Sequence, residues 1–133
     1  MRTIARESLF KIIFASQFEG ADESLKNYLF KTEKLGENDK EYFNRVLSII
    51  KEHKDEFTDN IDKHSRLFPE SRLFPADRSV LLIALAEIFY CEDIPDAVSV
   101  NEAANIASKY SSIKSASFVS GVLAEILKEK ENV

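Results

Sequence analysis

The sequence is poor in the residues that interrupt helices or cross-link a chain. Its 133 residues include three glycines, three prolines and a single cysteine, Cys91. So few glycines and prolines leave little room for the turns that a many-stranded β fold requires, which favours helices. A lone cysteine excludes an internal disulfide framework and is typical of a reducing compartment, so we expect a cytoplasmic protein.

Long apolar runs are also missing. A membrane-spanning helix needs about 18 or more consecutive apolar residues, whereas the longest apolar stretch here, Val80 to Ala86, lies between Arg78 and Glu87. The N-terminal residues reach the acidic Glu7 without the apolar region of a signal peptide. We therefore expect no association with a membrane.

Apolar residues recur at helical spacing along most of the chain. The pattern predicts an all-α protein whose six helices lie at residues 3–18, after Asp22, and at residues 38–66, 76–91, 99–110 and 115–130. The fourth is apolar nearly all round, which is typical of a helix in the middle of a bundle. Pro69 and Pro75 mark the clearest boundary. We expect two packed three-helix subdomains, residues 1–68 and 76–133, within one compact domain.

Three local signals accompany these helices. Asn38 with Glu41, and Ser99 with Glu102, have the spacing of capping boxes, in which two side chains bond the free amides of a helix start. Gly121 lies inside the last predicted helix, where glycine costs about 1 kcal/mol relative to alanine. A glycine kept in such a place usually allows a second helix to approach closely.

The chain is mildly acidic, with a formal net charge of −5 at pH 7. That balance argues against a protein that coats nucleic acid non-specifically. Two patches are nevertheless locally basic: an N-terminal patch with Arg2, Arg6 and Lys11, and a C-terminal patch with Lys109 and Lys114. Charge alone leaves open whether these patches bind a ligand or are simply solvated.

Signals for catalysis are thin. His53 and His64 are about 16 Å apart along one helix at 1.5 Å per residue, too far to share a metal ion. Phosphate-binding glycine loops and nucleophile-elbow motifs are absent from the sequence. Cys91 is interpreted as a packing residue, and a solvated face is expected for Asp55, Glu56, Asp59 and Asp62. We therefore predict neither an enzyme nor a bound metal or cofactor.

A binding signal lies between the fifth and sixth predicted helices. The segment from Tyr110 to Phe118 contains no acid, one lysine, several hydroxyls and two aromatic rings. Single-stranded RNA is held by such mixtures, because cations and helix N-terminal amides meet phosphates while aromatic rings stack on unpaired bases. The residues alone leave a second interpretation open, in which both rings are core residues and the serines are caps.

Four further motifs follow one another in the second half of the sequence. They are Val80 to Ile88 (VLLIALAEI), Asp93-Ile94-Pro95, Val98 to Ala103 (VSVNEA) and Phe118 to Leu123 (FVSGVL). Their order and spacing resemble those of the NusB family, in which a buried helix, an Ile/Val-Pro turn, an INEA helix start and an FVNGVL helix occur in that order. Ala5-Arg6-Glu7 with the aromatic Phe14 resembles the first helix of the same family.

The resemblance implies two helical subdomains and a role in binding rather than catalysis. Members of the family bind the boxA element of nascent ribosomal-RNA transcripts together with a small-subunit ribosomal protein, NusE, in a complex that keeps RNA polymerase from terminating. The resemblance assigns RNA contacts to Arg2, Arg6, Lys114, Ser117, Phe118 and Ser120. For the ribosomal partner it points to the central helix, where Arg78 and Glu87 are the candidates. Glu87 has a structural alternative, in which it caps or pairs near Asn101.

The sequence also departs from the family pattern. Leu82 stands in place of an arginine, Ser117 in place of a common basic residue, and the N-terminal arginine run is reduced to two. Since phosphate contacts supply much of RNA affinity, we expect weak intrinsic RNA binding that the protein partner strengthens. Two alternatives stay open, a helical protein-interaction module without RNA affinity and an accessory domain related to that of RNA cytosine methyltransferases. Self-association into a homodimer is open as well.

Overall fold

The computed structural model of the chain describes residues 2–18, 23–65 and 73–131. The described residues form no strand and six α-helices, which are α1 (Arg2–Ser16), α2 (Glu23–Thr32), α3 (Glu37–His64), α4 (Pro75–Tyr90), α5 (Asp96–Tyr110) and α6 (Ile113–Glu131). The predicted all-α fold is confirmed, and each helix lies within a few residues of its predicted position. None of these helices is long and apolar enough to cross a membrane.

Helix α4 lies at the centre of the molecule. Every residue from Ser79 to Ile88 is buried, so the helix has no solvent-facing side along this stretch. Pro75 takes the first helical position, where its missing amide has no consequence because the first amides of a helix lack partners within it. The central position that the apolar sequence predicted is confirmed.

The other helices pack around α4. Helices α1, α3, α5 and α6 each contact it, α5 and α6 also contact each other, and α2 packs on α1. One hydrophobic core joins the two halves of the chain and includes Phe43, Phe57, Leu85 and Leu123. Residues 66–72, Asp22 and the predicted end of α3 at Arg66 lie outside the described residues. The division into subdomains at residues 68 and 76 therefore stays a prediction.

Helix α3 does not start with the predicted capping box. It begins at Glu37, and the residue before it, Gly36, has an extended backbone and no side-chain cap. Asn38 and Glu41 lie inside the first turns, so their assignment as a capping box is wrong. The helix is kinked near its middle, where His53 departs from helical backbone angles (φ −113°, ψ 19°).

Helix α5 begins earlier than predicted. Pro95 immediately precedes it, so Ser99 lies inside the helix and not at its start. The Ser99 hydroxyl donates to Glu87 of α4, and the second predicted capping box is therefore also wrong. Helix α6 does have a serine cap, since Ser112 Oγ accepts the backbone N–H of Ser115 at 3.0 Å.

Gly121 faces open space on the outer side of α6. A Cβ atom added to it would meet no other atom within 4 Å, and the residue is exposed. The expectation that this glycine admits a neighbouring helix is therefore wrong. Because Gly121 has no side chain, the backbone of α6 is exposed at this position.

Candidate nucleic-acid interface

The outer face of α6 brings together the RNA contacts predicted in the second half of the chain. Positions 117 and 118 lie three and four residues after position 114, and position 121 lies four and three residues after them, which places all four on one side of the helix. Lys114 and Ser117 are exposed, and Phe118 is half-buried against the core. We call this surface the α6 stripe; it comprises Lys114, Ser117, Phe118, Ser120 and Gly121.

The α6 stripe has the groups needed to hold an anionic polymer with flat bases. Lys114 forms no ion pair with any described residue, so its ammonium group is available to a phosphate. The first turn of α6 contains no acid, and its free amides carry the partial positive charge of a helix start. Phe118 supplies a partly accessible ring at one side of this positive end.

The remaining cations of the two basic patches are held by acids. In the N-terminal patch, all three face carboxylates, in the pairs Arg2–Asp93, Lys11–Glu33 and Arg6–Glu87. In the C-terminal patch, Lys109 Nζ lies 2.7 Å from Glu7. Among the residues that the structure describes, Lys114 is thus the one patch cation without a carboxylate partner. Both patches are basic in sequence but nearly neutral in space.

Arg6 belongs to a buried network of polar side chains that joins α1, α3, α4 and α5. Its Nε and Nη2 donate to the two carboxylate oxygens of Glu87, at 2.8 and 3.1 Å, in a bidentate pair. Its Nη1 donates to Glu102 at 2.9 Å. The hydroxyls of Tyr42 and Ser99 also donate to Glu87. We call these five residues the buried network.

Burial makes the charges of the network depend on one another. Arg6 is 4% exposed and Glu87 is 1% exposed. Ions so far from water are tolerated only when they are paired and their remaining hydrogen-bonding positions are filled. Burial alone would lower the pKa of Arg6, but the hydrogen bond and charge of Glu87 raise it above its ordinary value. Burial, together with the Glu87 charge, raises the pKa of Tyr42 well above its usual range.

The structure gives Arg6 and Glu87 a structural position, although both were predicted as contact residues. The structural alternative, in which Glu87 caps or pairs near Asn101, agrees with the hydrogen bond from Ser99, two residues before Asn101. Arg6 and Tyr42 are its further donors. The sequence does contain a signal for this network, because a carboxylate at the end of the apolar stretch of the central helix requires a buried partner. It contains no signal for which cation fills that role.

Arg2 lies at the exposed edge of the same region. Its guanidinium carbon is 5.3 Å from the centre of the Tyr42 ring, and its Nη1 is 3.5 Å from Asp93. Arg45 is the closer partner of Asp93, at 2.7 Å, and its hydrogen bond lowers the pKa of that carboxyl to about 2. Arg2 is therefore open to solvent but already partly neutralised.

A row of aromatic rings extends from α1 to the end of α5. Phe18, Phe14, Phe10 and Tyr110 contact one another in that order, with ring centres 5.4, 6.0 and 5.0 Å apart. Phe18 is 58% exposed, and Tyr110 is 37% exposed while donating its hydroxyl to Glu7. We call these four rings the aromatic row. Exposed aromatic clusters of this kind are typical of protein-binding surfaces.

Arg78, the other residue predicted for the protein partner, is half-buried at the start of α4. Its guanidinium donates to the side chain of Gln17 and to the carbonyl of Leu73. These bonds tie the end of α1 to the segment that leads into α4. Arg78 therefore lies close to the α1 end of the aromatic row.

The groups considered for catalysis or metal binding are placed as surface or packing residues. Within residues 2–18, 23–65 and 73–131, no cluster of three or more possible metal ligands occurs. Cys91 is buried, and burial raises the pKa of its thiol, which suits a packing residue. The predicted solvated face is confirmed, since exposure is found for Asp55, Glu56, Asp59 and Asp62.

Comparison with known proteins identifies the family. Residues 3–128 match the family model described as the NusB family. The chain belongs to the NusB family. It is 33% identical over 132 residues to the transcription antitermination protein NusB of Finegoldia magna, which covers 98% of this chain and 96% of that protein. It is 35% identical over 130 residues to the protein of the same name from Clostridium novyi, covering 96% and 98% respectively.

Solved structures agree with this assignment. T. maritima NusB matches with a TM-score of 0.87 at 32% identity, over 97% of this chain and 92% of that chain. A chain from a crystal structure of the antitermination factors NusB and NusE in complex with dsRNA matches with a TM-score of 0.85 at 22% identity, over 96% of each chain. At that identity the second likeness concerns the fold.

The buried network and the α6 stripe both lie within the residues that match the NusB family. Residues 3–128 include the buried network and the α6 stripe, whereas Arg2 lies just before the matched range. The resemblance inferred from the sequence motifs is confirmed. The assignment of individual residues to RNA or to a protein partner stays a prediction.

Proposed function

We propose that this NusB-family protein is a cytoplasmic transcription antitermination factor that binds boxA-type single-stranded RNA together with NusE. It would work within an RNA polymerase antitermination complex, by binding and not by catalysis. The observation that best supports this proposal is the α6 stripe, where an unpaired lysine, hydroxyls and an aromatic ring share one solvent-facing side of a helix. The names of the relatives support the role in antitermination, and the NusB–NusE–dsRNA structure supports binding of an RNA together with NusE.

Each residue of the α6 stripe has a part in this proposal. The ammonium group of Lys114 contacts a phosphate, because it forms no ion pair with a described carboxylate that would have to break first. Ser117 and Ser120 donate hydroxyls to phosphate or 2′-hydroxyl oxygens. Phe118 stacks on an unpaired base, a contact worth about 1–3 kcal/mol. The bare backbone at Gly121 lets the RNA lie close to the helix.

The two N-terminal arginines contribute in different ways. Arg2 is exposed and extends the RNA surface, but it must exchange Asp93 for a phosphate. Arg6 is buried and paired, so it acts indirectly by holding α1 against α4 and α5. Only a small number of cations is then available to the RNA. Because each neutralised phosphate adds to affinity, RNA binding by this chain alone is weak.

NusE supplies the contacts that this chain lacks. We assign the partner surface to the aromatic row, where Phe18 and Tyr110 are exposed. Arg78 lies beside the α1 end of that row. Glu87 is enclosed within the molecule, so it affects the partner only through its hold on the surrounding helices.

The decisive experiment is a titration of a fluorescent boxA-type RNA with the protein, with and without NusE, at about 50 and 200 mM salt. We expect tighter and more salt-sensitive binding when NusE is present. Lys114→Gln should weaken RNA binding and make it less dependent on salt. The matched control is Lys128→Gln, which removes an equally exposed cation from the far end of the same helix and should leave binding unchanged.

A second candidate is a protein-interaction module without RNA affinity. It is favoured by the pairing of four patch cations with carboxylates, which removes most of the positive surface that RNA requires. NusE binding with no RNA binding at either salt concentration would support this candidate and reject the RNA contacts assigned to the α6 stripe.

A further inference from the structure

A groove with an apolar floor lies between α1, α2, α3 and the start of α4. Its volume is about 470 Å³, within the range of roughly 300–1,000 Å³ that is usual for ligand-binding pockets. The floor consists of aliphatic side chains from three helices, namely Ile12, Ile13, Leu47, Ile50 and Leu82. Neither the α6 stripe nor the aromatic row contributes a residue to this groove.

The edge of the groove is basic, in contrast to the molecule as a whole. Its cations come from α2, α3 and α4, and are Lys26, Lys51, Lys54 and Arg78. Among the described residues, one acid, Glu23, lines the same groove; its side chain is 80% exposed and its carboxylate lies 3.9 Å from Lys26. Four cations and one acid surround an apolar floor on a chain whose net charge is −5. We call this feature the basic groove.

The register of α3 explains how apolar and basic groups meet there. Leu47, Ile50, Lys51 and Lys54 are spaced by three, one and three residues, which places them on one side of the helix. Leu47 and Ile50 face the floor, and the two exposed lysines form the edge. Neither Lys51 nor Lys54 forms an ion pair with any residue that the structure describes. Both are therefore available to an acidic ligand.

We propose that the basic groove binds an acidic amphipathic segment of a protein. Aliphatic side chains of the segment would enter the groove, and its carboxylates would pair with Lys51 and Lys54. Helices that place an apolar side in a groove and charges along its edges are a common form of peptide recognition. The complementary charge sets the orientation and the selectivity of such a complex. The basic groove contains no residue of the α6 stripe, so the inference does not depend on the proposed RNA contacts, and Arg78 is the one residue that it shares with the surroundings of the aromatic row.

RNA is a poorer occupant of the basic groove. Single-stranded RNA is held by aromatic rings stacked on bases, and none of the described residues that line this groove is aromatic. A phosphate backbone would meet the lysines but leave the aliphatic floor uncovered. An acidic protein segment satisfies both the floor and the edge.

The test is a selection from a displayed library of random 16-residue peptides on the full-length protein. We expect the selected peptides to carry Asp and Glu beside Leu, Ile or Phe at intervals of three or four residues. The double variant Lys51→Glu, Lys54→Glu should weaken binding of these peptides about tenfold or more, which corresponds to about 1.4 kcal/mol. In the wild-type protein, the peptides should shift the NMR signals of residues 47–54 and 78–82.

A matched double variant separates a local effect from a change in net charge. Lys31→Glu, Lys128→Glu alters the charge by the same amount at exposed positions outside the groove, and should leave peptide binding unchanged. Thermal unfolding of both variants checks that each retains the fold. Selected peptides that bind both double variants equally well, or a selection that yields no acidic peptides, would overturn the proposal.

Three other measurements with the Lys51→Glu, Lys54→Glu variant identify a different occupant. A loss of boxA-type RNA binding would assign the basic groove to RNA. A loss of NusE binding would assign it to the ribosomal partner. Disappearance of a wild-type dimer in sedimentation velocity would assign it to a second copy of this chain. Loss of RNA binding or of the dimer would reject the proposed acidic segment. Loss of NusE binding would reject it when the selected acidic peptides do not compete with NusE, and would identify NusE as the carrier of the segment when they do. Unchanged RNA binding, NusE binding and oligomeric state would support the proposal.

Discussion

The buried network and the α6 stripe place similar side chains in opposite surroundings. Arg6 is enclosed and meets two carboxylates, whereas Lys114 projects into solvent with no carboxylate partner among the described residues. Both residues were predicted to contact RNA from the family resemblance, and both lie in locally basic segments of the sequence. The comparison shows that a basic segment in the sequence offers an unpaired cation to a ligand only where tertiary structure brings no carboxylate to it.

The conformation of the α6 stripe also depends on the buried network, but the network does not depend on the stripe. The buried network holds α5 through Ser99 and Glu102, and α5 leads into α6 through the turn capped by Ser112. A change in the network therefore disturbs the α6 stripe, whereas a change in the stripe leaves the network intact. Variants in each region test this asymmetry.

The largest effect is expected from Glu87→Gln. The substitution breaks the bidentate pair and leaves the buried Arg6 with Glu102 as its remaining carboxylate partner, so we expect the free energy of unfolding to fall by about 3 kcal/mol, the lower end of the range for a broken buried ion pair. Urea unfolding at pH 7 measures the change. Asp59→Asn on an exposed surface is the control and should change stability by less than about 0.5 kcal/mol. A loss below about 1 kcal/mol for Glu87→Gln would mean that the network is not isolated from water.

Phe118→Leu tests the RNA contact of the α6 stripe without creating a large cavity in the core. Leucine keeps most of the apolar contact with the core but cannot stack on a base. The free energy of RNA binding in the presence of NusE should therefore become about 1–3 kcal/mol less favourable. NusE binding, measured by calorimetry, should not change. An equal loss of RNA and NusE binding would indicate that the ring supports the fold of α6 and does not contact RNA.

Gly121→Ala separates stability from binding within the same helix. The added methyl group meets no atom within 4 Å, and alanine favours the helix, so stability should rise by about 0.5–1 kcal/mol. RNA affinity should fall, because the methyl group occupies the space assigned to the ligand. Thermal unfolding and the RNA titration measure the two effects. Higher stability with unchanged RNA affinity would remove Gly121 from the interface.

The smallest effect concerns the exposed pair between Asp93 and Arg45. The Arg45 hydrogen bond lowers the pKa of Asp93 from 3.8 to about 2, so its contribution to stability is present above the ordinary pKa and is lost as pH falls through about 2. An NMR titration of the Asp93 carboxyl should show this low midpoint. Arg45→Gln should return the midpoint towards 3.8; an unchanged midpoint would exclude Arg45 as the cause.

The helices could be predicted because each depends mainly on neighbours along the chain. The apolar spacing of α4 and its central position follow from its own residues. Helix ends were less predictable. Helix α3 begins before Asn38, and the serine expected to cap α5 donates to another helix instead. Ser99 bonds to Glu87 across two helices, and its capping role is lost. A local pattern cannot show such competition.

The α6 stripe rests on a local sequence pattern, whereas the buried network rests on contacts between distant residues. The stripe lies on one helix, so its register follows from the spacing of Lys114, Ser117 and Phe118 in the sequence. The network joins residues as distant as Arg6 and Glu87, and it forms only when four helices have packed. Sequence reasoning therefore found the stripe but assigned Arg6 to the surface.

The sequence by itself determined the all-α class, the position of the central apolar helix and the family resemblance, since these rest on local spacing and on the order of motifs. Tertiary structure alone decided which charges are available to a ligand. The electrostatic environment of a charged side chain depends on every helix packed against it. A carboxylate from a helix distant in sequence neutralises a cation whatever residues flank that cation in the chain. The pairing of Arg6 and the freedom of Lys114 are the two results of that rule here.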